Sequence, residues 1–301
     1  MIDISQYSDA VRLLALTHFC GVTPRMYDAL LRRFGTVEAL FGLDRSLLLS
    51  IDGLTAGQAD LLEQAEKKLE PAALLAQQLS DRDIRLLTQF EPEYGHLLTE
   101  LNDPPPLLYV RGRFLAPEVK SVAVVGSSRP GSDGIALTSE LVRELIERGV
   151  QVVSTLRGGI DSAVHLTAAA NNGRSFAVLD CGVDKVEPKE GMPVAIDIVR
   201  DGGVISEYHP DMSGKDVPVN EANRLVIGMA QAVIVTEMYS DSSQTLDLVQ
   251  ACREIGKLLF FMINPDIGAL ADEASLSRAI ECGAIPIDGL DKIDDIVRSL
   301  V

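Results

Sequence analysis

The stretch SVAVVGSSRPGSDGIALTSELVRELIERGVQVVST occupies residues 121–155. A short, continuously apolar and β-branched run gives way to glycine and serine. Apolar residues then recur at three- and four-residue spacings until a second β-branched run begins. Strands of this kind, without polar alternation, belong to parallel sheets covered by helices on both faces. The unit repeats downstream through a helix opening at Ile160, then SFAVLDCG, GVISE, AVIVTE and KLLFFMI. The pattern predicts an α/β, Rossmann-like, doubly wound and mostly parallel sheet over residues 119–301.

Upstream the periodicity changes. Residues 8–80 carry apolar residues at helical spacing (Val11, Leu14, Ala15; Tyr27, Leu30, Leu31, Phe34), with breaks at Gly21, Gly35, Gly42 and Gly53. This predicts a small all-helical domain over residues 1–80, of helix-hairpin-helix or SAM-like type. Its glycine turns either offer N–H groups to phosphates or serve packing alone. Thr23 suits a helix cap with Pro24 at the first helical position. Residues 81–118 contain DPPP at Asp103–Pro106, which cannot be helical, and then LLYVRG, which reads as a short strand ending in a glycine turn. They are expected to form an extended, proline-rich lead-in to the second domain.

With 27 Lys+Arg against 44 Asp+Glu the chain carries −17, so its overall field repels a polyanion. Neither part is basic: residues up to Glu118 sum to −6 and the remainder to −11. Any nucleic-acid site must therefore be local. No apolar run is long enough to span a membrane and the first residues, MIDISQYSDA, do not read as a signal peptide, so a cytoplasmic protein with no membrane partner is expected. Cys20, Cys181, Cys252 and Cys282 form no C-x-x-C pair and are expected to be small core residues. His18, His96 and His209 are too scattered to make a metal cluster with His165, and neither metal nor cofactor is expected.

Ligands of open α/β sheets sit beyond the carboxyl ends of the strands. There this sequence places Gly126-Ser127-Ser128-Arg129, then Ser154-Thr155-Leu156-Arg157-Gly158-Gly159-Ile160-Asp161, then Cys181 to Asp184, Glu207, and Glu237 with Ser240 to Thr245, a stretch that includes Ser242-Ser243-Gln244-Thr245. Glycine and hydroxyl residues let a phosphate approach backbone N–H groups and helix N-termini. Four such loops on one sheet edge predict a phosphate-bearing ligand. The G-x-G-x-x-G turn, the G-x-x-x-x-G-K-[ST] loop and the G-x-S-x-G elbow are all missing, so dinucleotide, ATPase and hydrolase chemistry lose support. Asp161 and His165, four apart, either form an acid/base pair or support the loop, Asp161 by capping the helix and His165 by packing beneath it. Asn223 and Arg224 open another helix, and Arg224 with Arg129 and Arg157 either forms a cationic rim for phosphates or is spent in buried ion pairs.

The order of these motifs resembles the DNA-processing protein A family (DprA, also called Smf) from about Val11 to Ile287. GVTPRMYDALLRRFGTVEALF is similar to that family's N-terminal helices, and YGHLLTELNDPPPLLYVRG to its tyrosine-led, proline-rich lead-in. SVAVVGSSRP, VVSTLRGGIDSAVH, GGVISEYHP and ANRLVIGMAQAVIVTE are similar to its Rossmann-like landmarks. The chain departs from the family at the ligand edge. Arginine is displaced to Arg129 after Gly126-Ser127-Ser128, and Ala222-Asn223-Arg224 keeps one arginine of two. Ser242-Ser243-Gln244 replaces a serine-glycine-serine turn, and Asn264-Pro265 a proline-glycine. A winged-helix appendage found in some members has no counterpart in this sequence.

The resemblance implies a non-catalytic, single-stranded-DNA-binding recombination mediator that assists loading of the RecA recombinase during transformation and recombination. It also implies a homodimer, and KLLFFMI with the segment after it is apolar enough to help a second subunit dock. The competing expectation is a divergent Rossmann-like protein binding a small nucleotide-type ligand at the same strand ends. A hydrolase would need Glu237 or Asp161 poised in the pocket, and no partner of suitable spacing is visible for either.

Overall fold

The computed structural model describes residues 3–51, 53–217, 221–264, 266 and 268–300, so Pro265 of the Asn264-Pro265 pair lies outside the described residues. The chain divides into two compact units, residues 1–95 with 102–109 and residues 96–101 with 110–301. Residues 81–118 are thus apportioned to both.

The first unit is built from α1 (Asp9–Leu14), α2 (Pro24–Phe34), α3 (Arg45–Leu48), α4 (Ala56–Leu62) and α5 (Leu69–Ser80), followed by β1 (Ile84–Thr88). Thr23 caps α2 by accepting from Met26 N, with Pro24 in the first turn as expected. Gly21, Gly35, Gly42 and Gly53 all take positive φ, which is why the breaks fall at glycine. Leu13, Leu14, Leu16, Tyr27, Leu30, Leu62 and Leu69 are buried. Residues 81–118 are not extended throughout, because a helical turn at Pro92–Tyr94 and α6 (His96–Thr99) separate β1 from β2 (Leu107–Gly112), the strand formed by LLYVRG. Tyr94 donates its hydroxyl to Pro105 O at 2.7 Å, which pins the proline segment.

The second unit alternates strand and helix: β3 (Ser121–Gly126), α7 (Ser132–Glu147), β4 (Gln151–Thr155), α8 (Ile160–Ala170), β5 (Ser175–Val178), α9 (Met192–Ile198), β6 (Gly203–Ser206), α10 (Glu221–Gly228), β7 (Ala232–Glu237), α11 (Ser243–Ile255), β8 (Leu258–Asn264), β9 (Gly268–Ala269), α12 (Glu273–Glu281), β10 (Ile285–Ile287) and α13 (Ile293–Ser299). The strands from β6 onward run in the order β6-β5-β4-β3-β7-β8-β10, each neighbouring pair parallel, and β9 pairs antiparallel with β8. This is the doubly wound sheet that the sequence predicts. Helices α7, α8 and α9 neighbour one another, as do α10, α11 and α12. Val122 and Val124 of β3, Ala232 and Ile234 of β7, and Phe260 and Met262 of β8 share a core with Leu137, Leu141 and Leu145 of α7 and with Ile293 and Ile296 of α13. All four cysteines are buried and reduced. The run KLLFFMI does not face outward to meet a subunit: β8 is an interior strand between β7 and β10, and its apolar side chains are used in the core.

Strand order reverses between β3 and β7, whose pairing matches Val122 with Ala232 and Val125 with Val235. Two crossovers leave in opposite directions from this seam, so the loops beyond it part and leave a crevice.

Candidate functional site at the switch of strand order

A cleft of about 210 Å³ opens at that point. Gly126 ends β3 and Ser128 follows it, Thr155 ends β4 with Arg157 in the loop after it and Asp161 in the first turn of α8, and Asp241 to Thr245 lead from the loop after β7 into α11. A larger cavity, about 310 Å³, lies beside Gln231 and Lys257 at the opposite edge of the sheet. It is at the amino ends of the strands, where sheets of this class do not collect ligands.

Glycine makes the cleft possible. A side chain at Gly126 would meet Ile160 Cγ1 at 2.7 Å and Glu237 O at 3.0 Å. Gly159 takes φ +58, and a Cβ there would collide with the Ser127 and Ser128 backbone. The turns are then laced together: Ser127 N donates to Glu237 O and Ile160 N to Ser127 O, both at 3.0 Å, while Thr245 Oγ1 donates to Gly126 O at 2.8 Å.

Apart from Arg129 and Arg224, which do not line the cleft, the expected ligand residues divide into three groups. Gly126, Ser128, Arg157, Ser242, Ser243, Gln244 and Thr245 line the cleft. Ser127 is buried, its hydroxyl accepting from Arg129 N, and Gly158 and Gly159 form the turn that brings α8 in. Asn223 lies behind, its amide oxygen accepting from Arg157 Nη1 at 2.8 Å and its Nδ2 donating to Gln244 O at 3.2 Å. That chain ties the loop after β4 to the start of α11.

Each of the three arginines faces a carboxylate. Arg157 Nε donates to Asp180 at 2.6 Å, and Asp180 also accepts from Ala222 N in the first turn of α10. Arg224 Nη2 bonds both oxygens of Glu207, and its Nε lies 3.5 Å from Glu221. Arg129 Nη2 reaches Asp241 at 2.6 Å. Asp180 and Asp241 are the residues that sequence reading misses. Asp180 stands one residue before the strand end taken at Cys181, and Asp241 lies inside the stretch read only for its hydroxyls.

Asp161 and His165 do not bond one another. Thr155 stands between them, donating its hydroxyl to Asp161 and accepting at its carbonyl from His165 Nε2 at 2.9 Å. Nor does Asp161 cap α8, whose N-cap is Gly159 with no side-chain cap, because its carboxylate turns inward to Thr155. Burial pushes the Asp161 carboxyl above the usual range, opposed in part by the Thr155 hydrogen bond and by Arg157. The same burial lowers His165 to about 4. Asp161 is thus a buried polar support beneath the cleft and His165 a neutral core side chain.

Glu237 fills a place that sequence reading left open. Fully buried at the end of β7, it accepts from Gly131 N with both oxygens at 3.2 Å and so occupies the N-terminus of α7. Gly134 must be glycine because a Cβ would run into that carboxylate. In dinucleotide-binding folds this first helix receives the pyrophosphate; here the chain supplies its own anion. The start of α11 differs, with no acid in its first turn and no side-chain cap on Ser242, and it borders the cleft.

The sequence profile described as DNA recombination-mediator protein A matches residues 85–299. The chain belongs to that family. Protein Smf of Synechocystis sp. is 27% identical over 265 residues, covering 86% of this chain, and the chain spans 66% of that relative's length. DNA processing protein A of Streptococcus pneumoniae shares the fold, with a TM-score of 0.77 at 22% identity over 98% of both chains. A DNA processing protein A from Helicobacter pylori, described for its single-stranded DNA binding mode, aligns with a TM-score of 0.61 at 23% identity over 72% of this chain and 97% of its own. No described helix is long and apolar enough to cross a membrane.

Proposed function

We propose that this chain binds single-stranded DNA along the carboxyl edge of its sheet and acts, as a cytoplasmic homodimer, in recombination mediation by helping RecA load. Membership of the recombination-mediator family supports the class of activity. The observation that carries the location is the cleft at the switch of strand order, where the uncapped start of α11, the Gly126–Ser128 turn and Arg157 converge. Helix N-termini and guanidinium groups both suit phosphate. The proposed role is to hold a strand, with no chemical step. A nuclease activity that survives re-purification and is abolished by Asp161→Ala would refute that part.

A titration of fluorescent oligo-dT across a salt series tests the reading. With three or four phosphates engaged, log affinity should fall with log salt at a slope of about −2 to −3. Arg129→Ala should weaken binding by roughly tenfold, the worth of a charge-assisted hydrogen bond. No binding at any salt would refute the reading and favour a small nucleotide-type ligand. That alternative draws on the modest cleft volume and on the carboxylates facing every arginine.

A further inference from the structure

The three ion pairs at the carboxyl edge differ in how firmly they are held. Arg224 and Glu207 have side chains 16% and 9% exposed, and Arg157 and Asp180 14% and 24%. Arg129 and Asp241 are 77% and 59% exposed. A pair in water contributes little and opens readily, whereas separating a buried pair strands its charges. Only the third pair can therefore exchange its carboxylate for a phosphate at small cost.

Position makes that exchange consequential. Arg129 stands on the loop after β3 and Asp241 on the loop after β7, the two strands flanking the switch of strand order. Asp241 lines the cleft two residues before α11 begins. Its carboxylate thus holds the most accessible guanidinium of the edge and places a negative charge where an incoming phosphate would arrive.

We infer that Asp241 is an electrostatic latch on the cleft: it occupies Arg129 as an internal stand-in for phosphate, and a polyanion binds by displacing it. The latch sets a threshold for entry. A single weak anion gains little by exchanging with Asp241, while a strand that also engages the start of α11 and Arg157 gains from several contacts at once. The inference rests on the DNA-binding reading above and names the residue that limits it.

The test is oligo-dT affinity at fixed salt for the full chain and for Asp241→Asn, Arg129→Ala and the double variant. Glu147→Gln, an exposed site near the far end of α7, controls for net charge. Asp241→Asn should tighten binding about three- to tenfold, by freeing Arg129 and removing a like charge at close range. Glu147→Gln should change it by less than about twofold, since its charge lies more than a screening length away. In the Arg129→Ala background the gain from Asp241→Asn should shrink to the part owed to removing the like charge alone. Binding by the wild type with Asp241→Asn unchanged, or no better than Glu147→Gln, overturns the latch and leaves the DNA reading standing. An equal gain in the Arg129→Ala background also overturns it, because Asp241 would then act without holding the arginine. Failure of the wild type and of every variant to bind refutes both readings.

Discussion

Replacing Arg224 by alanine separates a structural arginine from a ligand-binding one. Its Nη2 serves both oxygens of Glu207, and the two side chains are among the least exposed charges of the edge. Truncation would strip Glu207 of its guanidinium while leaving the carboxylate mostly buried, a change that costs about 3–5 kcal/mol. For a unit of this size each kcal/mol moves the melting temperature by about 2–4 °C, so a drop of roughly 6–20 °C is expected. Arg129→Ala, which opens an exposed pair, should cost less than about 1 kcal/mol. Urea unfolding followed by circular dichroism measures both, with the midpoint and slope read separately. Arg224→Lys should fall between wild type and alanine, since it keeps the charge but loses the fork. Stability of Arg224→Ala within about 1 kcal/mol of wild type, together with tenfold weaker oligo-dT binding, would refute the structural role. Arg224 would then belong to the ligand rather than to the fold.

His165 should leave a signature in the pH dependence of stability. Its Nε2 donates to Thr155 O, so Nδ1 is the bare nitrogen, and it is buried with no partner. Protonation there is disfavoured, and the folded value sits near 4 against an ordinary 6.5. Below pH 6.5 the unfolded chain takes up a proton that the folded chain refuses, so stability falls as pH drops towards 4, by about 3 kcal/mol. Comparing wild type with His165→Gln between pH 7 and 4 isolates this loss. Asp161 and Glu237, raised by burial, act in the opposite sense and are common to both proteins; a pH-independent difference would refute the assignment. Gly134→Ala should destabilise by about 1–3 kcal/mol through overpacking against Glu237, and the cost should shrink in a Glu237→Ala background. Equal costs in the two backgrounds would show that the carboxylate is not the obstacle.

The sheet was legible because its interior strands are short apolar runs with no competing period. SVAVVG coincides with β3 and AVIVTE with β7, residue for residue. β10 escaped because it is three residues long, exposed at Ile285, and carries Pro286, a residue that argues against a strand except at an edge. β1 escaped because its sequence IRLLT sits between polar stretches in a segment read as a connector. At the site, the loops could be found from strand ends, but the partners of their arginines could not. Arg129 and Asp241 are 112 residues apart, and Arg157 and Asn223 are 66 apart. Periodicity reports which face a residue takes, not which distant loop that face will meet.

The pairing of β3 with β7 also governs when the protein can finish folding. Val122 meets Val152 of β4 across 30 positions but Ala232 of β7 across 110. Closing the longer loop costs about 1 kcal/mol more in chain entropy, which delays the central seam relative to its neighbours. During synthesis at 5–20 residues per second, roughly 5–20 s separate the emergence of β3 from that of β7. Throughout that interval the edge of β3 that β7 will cover is an unpaired strand bearing Val122 to Val125. An open edge of this kind invites pairing with other chains, so the nascent protein is most prone to aggregate before residue 232 has left the ribosome.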